Sequence, residues 1–226
     1  MELEYQLIRS RKRKKTLSLK ITGTGAIVIQ APYHTPAGEI AAFFERKKTW
    51  VQEKLRQYKE SPALSPQPLQ GGESFLFLGV PYPLVVEGQG RHLELFTLKN
   101  EQFVLNGQVR GHGKDLIRAW FSAQAKDYLP RRVEAYSQTW GLYAKGIRIG
   151  NAASRWGSCS PENILSFTWR LVMAPPDVVD YVVVHELAHV REKNHARSFW
   201  ALVGTMMPDY ELHRRWLRKH GYRLHL

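Results

Sequence analysis

The stretch Pro175–His189, PPDVVDYVVVHELAH, constrains this chain more than any other. Pro175-Pro176-Asp177 opens a helix, because proline suits the first turn, where an N–H would have no intrahelical partner. Val178, Val179, Tyr181, Val182, Val183 and Val184 follow with no polar face, so the pattern predicts a helix buried on all sides. His185, Glu186 and His189 come directly out of that apolar run. Histidines four residues apart project from one helix face, so both imidazoles can reach a single ion at Zn–N distances of about 2.0–2.1 Å. A pair of satisfied core histidines is the ordinary alternative. It leaves two imidazoles and a carboxyl desolvated without compensation, whereas a divalent cation offsets that cost. Glu186 stands beside the first ligand, where it can take a proton from the attacking water without itself coordinating.

A catalytic zinc takes a third protein ligand and keeps one position open. Three residues are candidates. His195 lies six residues after His189, Glu192 would have to turn back within one helical turn, and Glu211 lies on a later helix. His195 is preferred. Its spacing equals that of the metzincins, although Glu192 replaces the glycine that lets their helix break. Lys193-Asn194 is expected to make the break instead, since asparagine tolerates the left-handed conformation. His213, His220 and His225 read as surface residues.

Around this core the chain reads as α+β. Leu17, Leu19 and Ile21 alternate with polar residues, and Ile27 and Ile29 repeat the period after a turn at Gly23–Gly25. Thr35-Pro36 starts an amphipathic helix ending near Tyr58. Residues 61–72 have linker composition, and strand-like runs follow at Phe75–Leu78, Tyr82–Val86, Leu93–Leu98 and Phe103–Leu105. From Lys114 the period becomes helical, with an interruption or kink expected at Pro130. Ile147–Ile149 and Ile164–Leu171 read as strands, with Trp156–Ser160 as a strand or tight loop between them. Ala196–Met207 and Tyr210–His220 read as helices. The expected division is a β-rich, basic region over 1–110, containing one helix, and a metal-dependent catalytic domain over 111–226.

Composition narrows the setting. The N-terminal stretch does not read as a secretory signal, so none is expected, and no apolar run approaches the roughly 20 residues that span a bilayer. One cysteine, Cys159, excludes an intrachain disulfide. A cytoplasmic protein with no membrane association is expected. Lys and Arg number 33 against 20 Asp and Glu, a net charge of +13, which attracts polyanions as well as aiding solubility. Residues 1–60 carry thirteen Lys and Arg against six Asp and Glu. A nucleic acid or nucleotide is therefore a candidate partner alongside a peptide or protein substrate.

Several stretches together resemble the YgjP-like metallopeptidase family, zincins distantly similar to SprT-like proteases. They are Arg155-Trp-Gly-Ser-Cys-Ser160, Ser166-Phe-Thr-Trp-Arg-Leu171, Val182–His189, Asn194-His195, Phe199-Trp200 and Pro208-Asp-Tyr210. Arg11–Leu19 and Ile29-Gln-Ala-Pro32 extend the similarity towards the N-terminus. The resemblance implies a zincin-like C-terminal domain, a Zn²⁺ site at His185, His189 and His195 with Glu186 as general base, and a strand near Ile164–Leu171 bordering the cleft. Trp156, Gly157 and Ser158 are candidates for the cleft wall, where small residues admit an extended substrate, or for a tight turn with a packed tryptophan. Arg170 is a candidate for binding a substrate carboxylate or phosphate, or for pairing with a nearby acid. Cys159 reads as a small buried hydrophobe rather than a nucleophile. Peptide hydrolysis is the leading expectation. The rivals are hydrolysis of a nucleotide phosphoanhydride and a non-enzymatic, nucleic-acid-associated zinc protein.

Overall fold

The computed structural model describes residues 4–11, 13–21, 27–59, 69–88, 95–224 and 226. The chain is α+β and forms two compact units, Met1–Gln67 and Pro68–Leu226. In the first, β1 (Gln6–Ser10), β3 (Ile27–Pro32) and β2 (Ser18–Ile21) lie in that order, with β3 parallel to β1 and antiparallel to β2. β3 is the central strand, which is why Ile27-Val28-Ile29 reads as a continuous apolar run. Helix α1 (Ala37–Lys59) contributes Ile40, Phe44 and Val51 to the same core as Ile27, Ile29 and Ala31. The expected turn at Gly23–Gly25 lies outside the described residues. Part of the basic stretch is engaged within the unit: Arg9 donates to the carbonyls of Tyr33 (2.7 Å) and Thr35 (2.8 Å), and Arg13 donates to Gln30 Oε1 at 2.8 Å.

The second unit begins with β4 (Ser74–Phe77), β5 (Val80–Glu87), β6 (Phe96–Lys99) and β7 (Gln102–Asn106), ordered β4-β5-β7-β6. Its buried face supplies Phe75, Leu84, Phe96 and Phe103 to the core that also holds the apolar residues of the metal-motif helix. That shared core places the boundary at 67/68 rather than at 110/111, because the sheet has its hydrophobic partner on the C-terminal side. Of the strand expected at Leu93–Leu98, residues 93 and 94 lie outside the described residues.

Helix α2 (Gly113–Trp140) runs through Pro130 without the expected interruption. Gly113, Ile117, Phe121, Ala125, Leu129, Val133 and Ser137 are buried at every fourth position, so one stripe anchors the helix on both sides of the proline. Next come β8 (Gly146–Gly150), β9 (Gly157–Cys159) and β10 (Ile164–Thr168), ordered β8-β10-β9, with β9 antiparallel to β10 and at the edge. The strand expected to reach Leu171 stops at Thr168, and Trp169–Met173 form a 3-10 turn with four of the five residues buried.

Helices α3 (Pro176–Arg191), α4 (Arg197–Met206) and α5 (Tyr210–His220) complete the unit. Two contacts fix α3. The β4–β5 turn has Leu78 at φ 48° and Gly79 at φ 81°, and their amides donate to Val172 and Met173 carbonyls at 2.8 and 3.2 Å. A Cβ on Gly79 would lie 2.9 Å from Pro175 Cα, so the turn presses on the residue that starts α3. Further along, Arg132 of α2 grips Asp180 of α3 through Nε–Oδ1 (2.7 Å) and Nη2–Oδ2 (2.6 Å), with the Tyr136 hydroxyl at 3.3 Å. No helix among the described residues is long and apolar enough to cross a membrane.

Candidate metal centre

α3 is rich in β-branched valine, a modest helix former, and is held by burial rather than propensity. Its last two turns bring His185 and His189 to one face. α3 ends because Glu192 takes extended angles (φ −113°, ψ 100°). No residue from 192 to 195 has positive φ, so the left-handed break expected at Lys193-Asn194 is not the device used. Asn194 Oδ1 instead accepts from Ala196 N at 3.0 Å, folding the connection into an Asx turn that returns His195 to the helix.

The result is a convergence of three imidazoles. His195 Nε2 lies 3.0 Å from His185 Nε2 and 3.2 Å from His189 Nε2. All three ligand atoms are within 4.8 Å of one another, the one such group of His, Cys, Asp and Glu among the described residues. Zn–N bonds of about 2.0–2.1 Å at a tetrahedral angle separate nitrogens by about 3.3–3.4 Å, so small adjustments would suit a metal. Glu211 is not in the group; its carboxylate accepts from the Tyr210 hydroxyl at 3.5 Å. Glu192 is turned to the Ser198 hydroxyl, 2.9 Å away.

Each ring is positioned differently. His189 Nδ1 donates to the Glu192 carbonyl at 2.8 Å, which leaves Nε2 as the acceptor nitrogen. His185 Nδ1 is buried without a hydrogen-bond partner, so packing against Tyr181, Phe199 and Trp200 sets that ring. Fully buried Phe199 stacks on His189 (4.4 Å between centroids) and meets His185 and His195 edge-on at 4.9 and 4.8 Å. Trp200 stacks on His195 at 5.7 Å. Burial, then the neighbouring His189 and His195, pushes the His185 pKa down to about 3, and burial lowers that of His189. Both rings are thereby held neutral, the form that binds metal.

Glu186 is 5% exposed, and burial pushes its carboxyl up to about 8 against the opposing pull of Arg155. It packs directly on Gly157: a Cβ there would lie 2.6 Å from Glu186 Cγ and 2.7 Å from Oε1. Gly157 thus marks a close approach of backbone to carboxylate. Trp156 is packed, its ring so close to Gly221 that a Cβ there would lie 2.8 Å from Trp156 Cζ2. It also lines two cavities. One, of about 370 Å³, is bounded by His185, Glu186, Trp156, Gly157, Tyr181, Val182, Leu217 and the arginines 155, 214 and 218. The other, also about 370 Å³, shares Arg155, Trp156 and Gly157 and adds Arg148, Ser158, Ser166 and Thr168 among its walls.

Arg170 is not brought to either cavity. Its guanidinium lies over the Trp169 ring at 4.4 Å and donates to Asn151 Oδ1 at 2.7 Å. The Cys159 thiol is raised by burial, which keeps it protonated and unsuited to nucleophilic attack. Sequence reasoning missed the packing roles of Phe199 and Trp200 and the arginines of α5. The Asn194-His195 and Phe199-Trp200 pairs were the available signal for the former; nothing in the linear pattern of α5 separated Arg214 from a solvated face.

With this geometry in view, the sequence comparison is decisive about family. The chain matches the YgjP-like family (YgjP-like, metallopeptidase domain) over residues 15–220 and belongs to it. Among solved structures it is similar to the crystal structure of the metallopeptidase zymogen of Pyrococcus abyssi abylysin. The two are 19% identical, the match covers 40% of this chain and 93% of that one, and the TM-score is 0.37. No curated protein sequence matches the chain.

Proposed function

We propose that the protein is a zinc-dependent peptidase of zincin type, with His185, His189 and His195 as ligands and Glu186 as general base. The carrying observation is the convergence of three Nε2 atoms beside one buried carboxyl. When bound, zinc supplies Lewis acidity and lowers the pKa of water from about 15.7 towards about 7. Glu186 in its ionised form takes the proton of the attacking water and returns it to the leaving amine. Gly157 keeps the wall beside Glu186 thin. β9 has no strand on its outer edge among the described residues, so an extended peptide has main-chain groups to pair with there.

The test is Glu186→Gln, which keeps shape but cannot accept the proton. Peptide hydrolysis should fall by at least about 10²–10⁴-fold with metal content and fold unchanged. Loss of metal as complete as in His189→Ala would make Glu186 a ligand and overturn the assignment. The cavity arginines would also serve a triphosphate, so hydrolysis of a nucleotide phosphoanhydride is a second reading. Nucleoside triphosphate given to the same two proteins separates them. For the first unit, the local excess of Lys and Arg supports a role in holding an anionic partner.

A further inference from the structure

Three arginines elsewhere on the second unit form ion pairs: Arg118 with Asp115, Arg131 with Asp127 and Arg132 with Asp180. Those around the two cavities do not. Arg148, Arg155, Arg214 and Arg218 line them, and Glu186 is the one acid in either wall. None of the four makes a hydrogen bond or ion pair among the described residues. Four cationic side chains around two adjoining cavities, with the Glu186 carboxyl as the one acid among them, leave an excess of positive charge that an anionic ligand would neutralise.

The cavity beside the histidines has finer features. Arg214 lies with its guanidinium 4.6 Å over the Trp200 ring, and Trp200 itself stacks on His195. Stacking orients the planar fork, and a guanidinium binds carboxylate through two parallel hydrogen bonds. Arg155 and Arg218 stand on the same cavity, whose wall also holds the apolar side chains of Trp156, Tyr181, Val182 and Leu217 together with Gly157, His185 and Glu186. Apolar sides under a guanidinium rim suit a short aliphatic chain ending in a carboxylate.

We propose that Arg155, Arg214 and Arg218 form a carboxylate-binding subsite, so that the enzyme selects peptides with a carboxylate next to the bond it cuts. The proposal rests on the peptidase reading for the identity of that bond. It goes beyond it in naming the substrate's charge. The carboxylate can belong to an acidic side chain or to a free C-terminus, and the two give different experimental signatures.

The test uses the full-length, zinc-loaded Glu186→Gln protein, so that binding is read without turnover. Three dansyl-labelled peptides are titrated at physiological salt: one containing Glu with an amidated C-terminus, its Gln counterpart with the same amide, and the Gln peptide with a free C-terminus. One of the carboxylate peptides should bind about tenfold or more tightly than the amidated Gln peptide, and which one does identifies the source of the carboxylate. Adding R155Q, R214Q and R218Q should bring all three peptides within about twofold of one another. The change K47Q/K99Q/K126Q removes equal charge from residues that line neither cavity and should keep the preference. Equal binding of the three peptides, or equal loss in the lysine control, overturns the subsite. If the arginine variant misfolds by circular dichroism, Arg218→Gln alone, on exposed α5, must still weaken the preference or the proposal fails. Arginine-dependent preference with no hydrolysis by wild type would refute the peptidase reading and leave the subsite standing. Hydrolysis at equal kcat/KM for all three peptides would do the reverse.

Discussion

Replacing Gly157 by Ala isolates the contact on which the general-base assignment depends. The new Cβ would lie 2.6 Å from Glu186 Cγ, 2.7 Å from Oε1 and 2.9 Å from Cδ. Ordinary carbon contacts are about 3.5–4.0 Å, so the carboxylate must retreat by about 1 Å. At 5% exposure it has little free space to enter. Overpacking of this kind costs about 1–3 kcal/mol. Against it stands the gain of about 0.4–1 kcal/mol from a stiffer unfolded chain, because Gly157 is not among the glycines with positive φ. The net is a loss of about 1–2 kcal/mol, at about 2–4 °C in Tm per kcal/mol. Activity should fall about 10²-fold, the usual result of misplacing a catalytic group by 1 Å, with metal content unchanged. The assay is a double-mutant cycle by thermal denaturation. In a Glu186→Ala background the obstructing atoms are gone, and Gly157→Ala should become neutral or stabilising. Equal destabilisation in both backgrounds, or a single variant with activity within about twofold of wild type, would refute the reasoning.

Two other perturbations probe the frame and the basic unit. Asp180→Ala leaves the Arg132 guanidinium without its bidentate partner; with side-chain exposures of 34% and 10% for the pair, the loss should fall near the lower end of about 3–5 kcal/mol, measured by urea unfolding. Arg11, Lys12, Arg13 and Lys14 changed together to Ser should weaken duplex DNA binding and flatten its dependence on salt, since each neutralised phosphate releases counterions. Identical salt titrations would return that charge to a role in solubility.

The metal helix was legible because the sequence carries an unresolved conflict there: two imidazoles and a carboxyl in the middle of an apolar run. Its start at Pro176 and its placement in the core followed from the same pattern. The return of the chain at His195 was legible as spacing, but its mechanism was not, since Asn194 uses its side chain to accept from Ala196 rather than adopting a left-handed backbone. Pro130 misled because a local rule gave way to seven buried positions on one stripe. The Pro-rich run at 61–72 was the better boundary signal. Strand content drew the expected division to residue 110, although the core that those strands fill belongs to α2 and α3. The pairing of Gly157 with Glu186, and of Arg214 with Trp200, joins residues far apart in sequence, and no periodicity could reveal either.

The central claim is that three histidines, and no later glutamate, hold one metal ion. It is tested most directly by elemental analysis of zinc-supplemented wild type, His195→Ala and Glu211→Ala, each checked for folding by circular dichroism. Wild type should hold about one zinc per chain, Glu211→Ala the same, and His195→Ala should fall to sub-stoichiometric content. Retention of zinc by His195→Ala together with its loss from Glu211→Ala would contradict the claim, and a wild type without stoichiometric metal would remove its foundation.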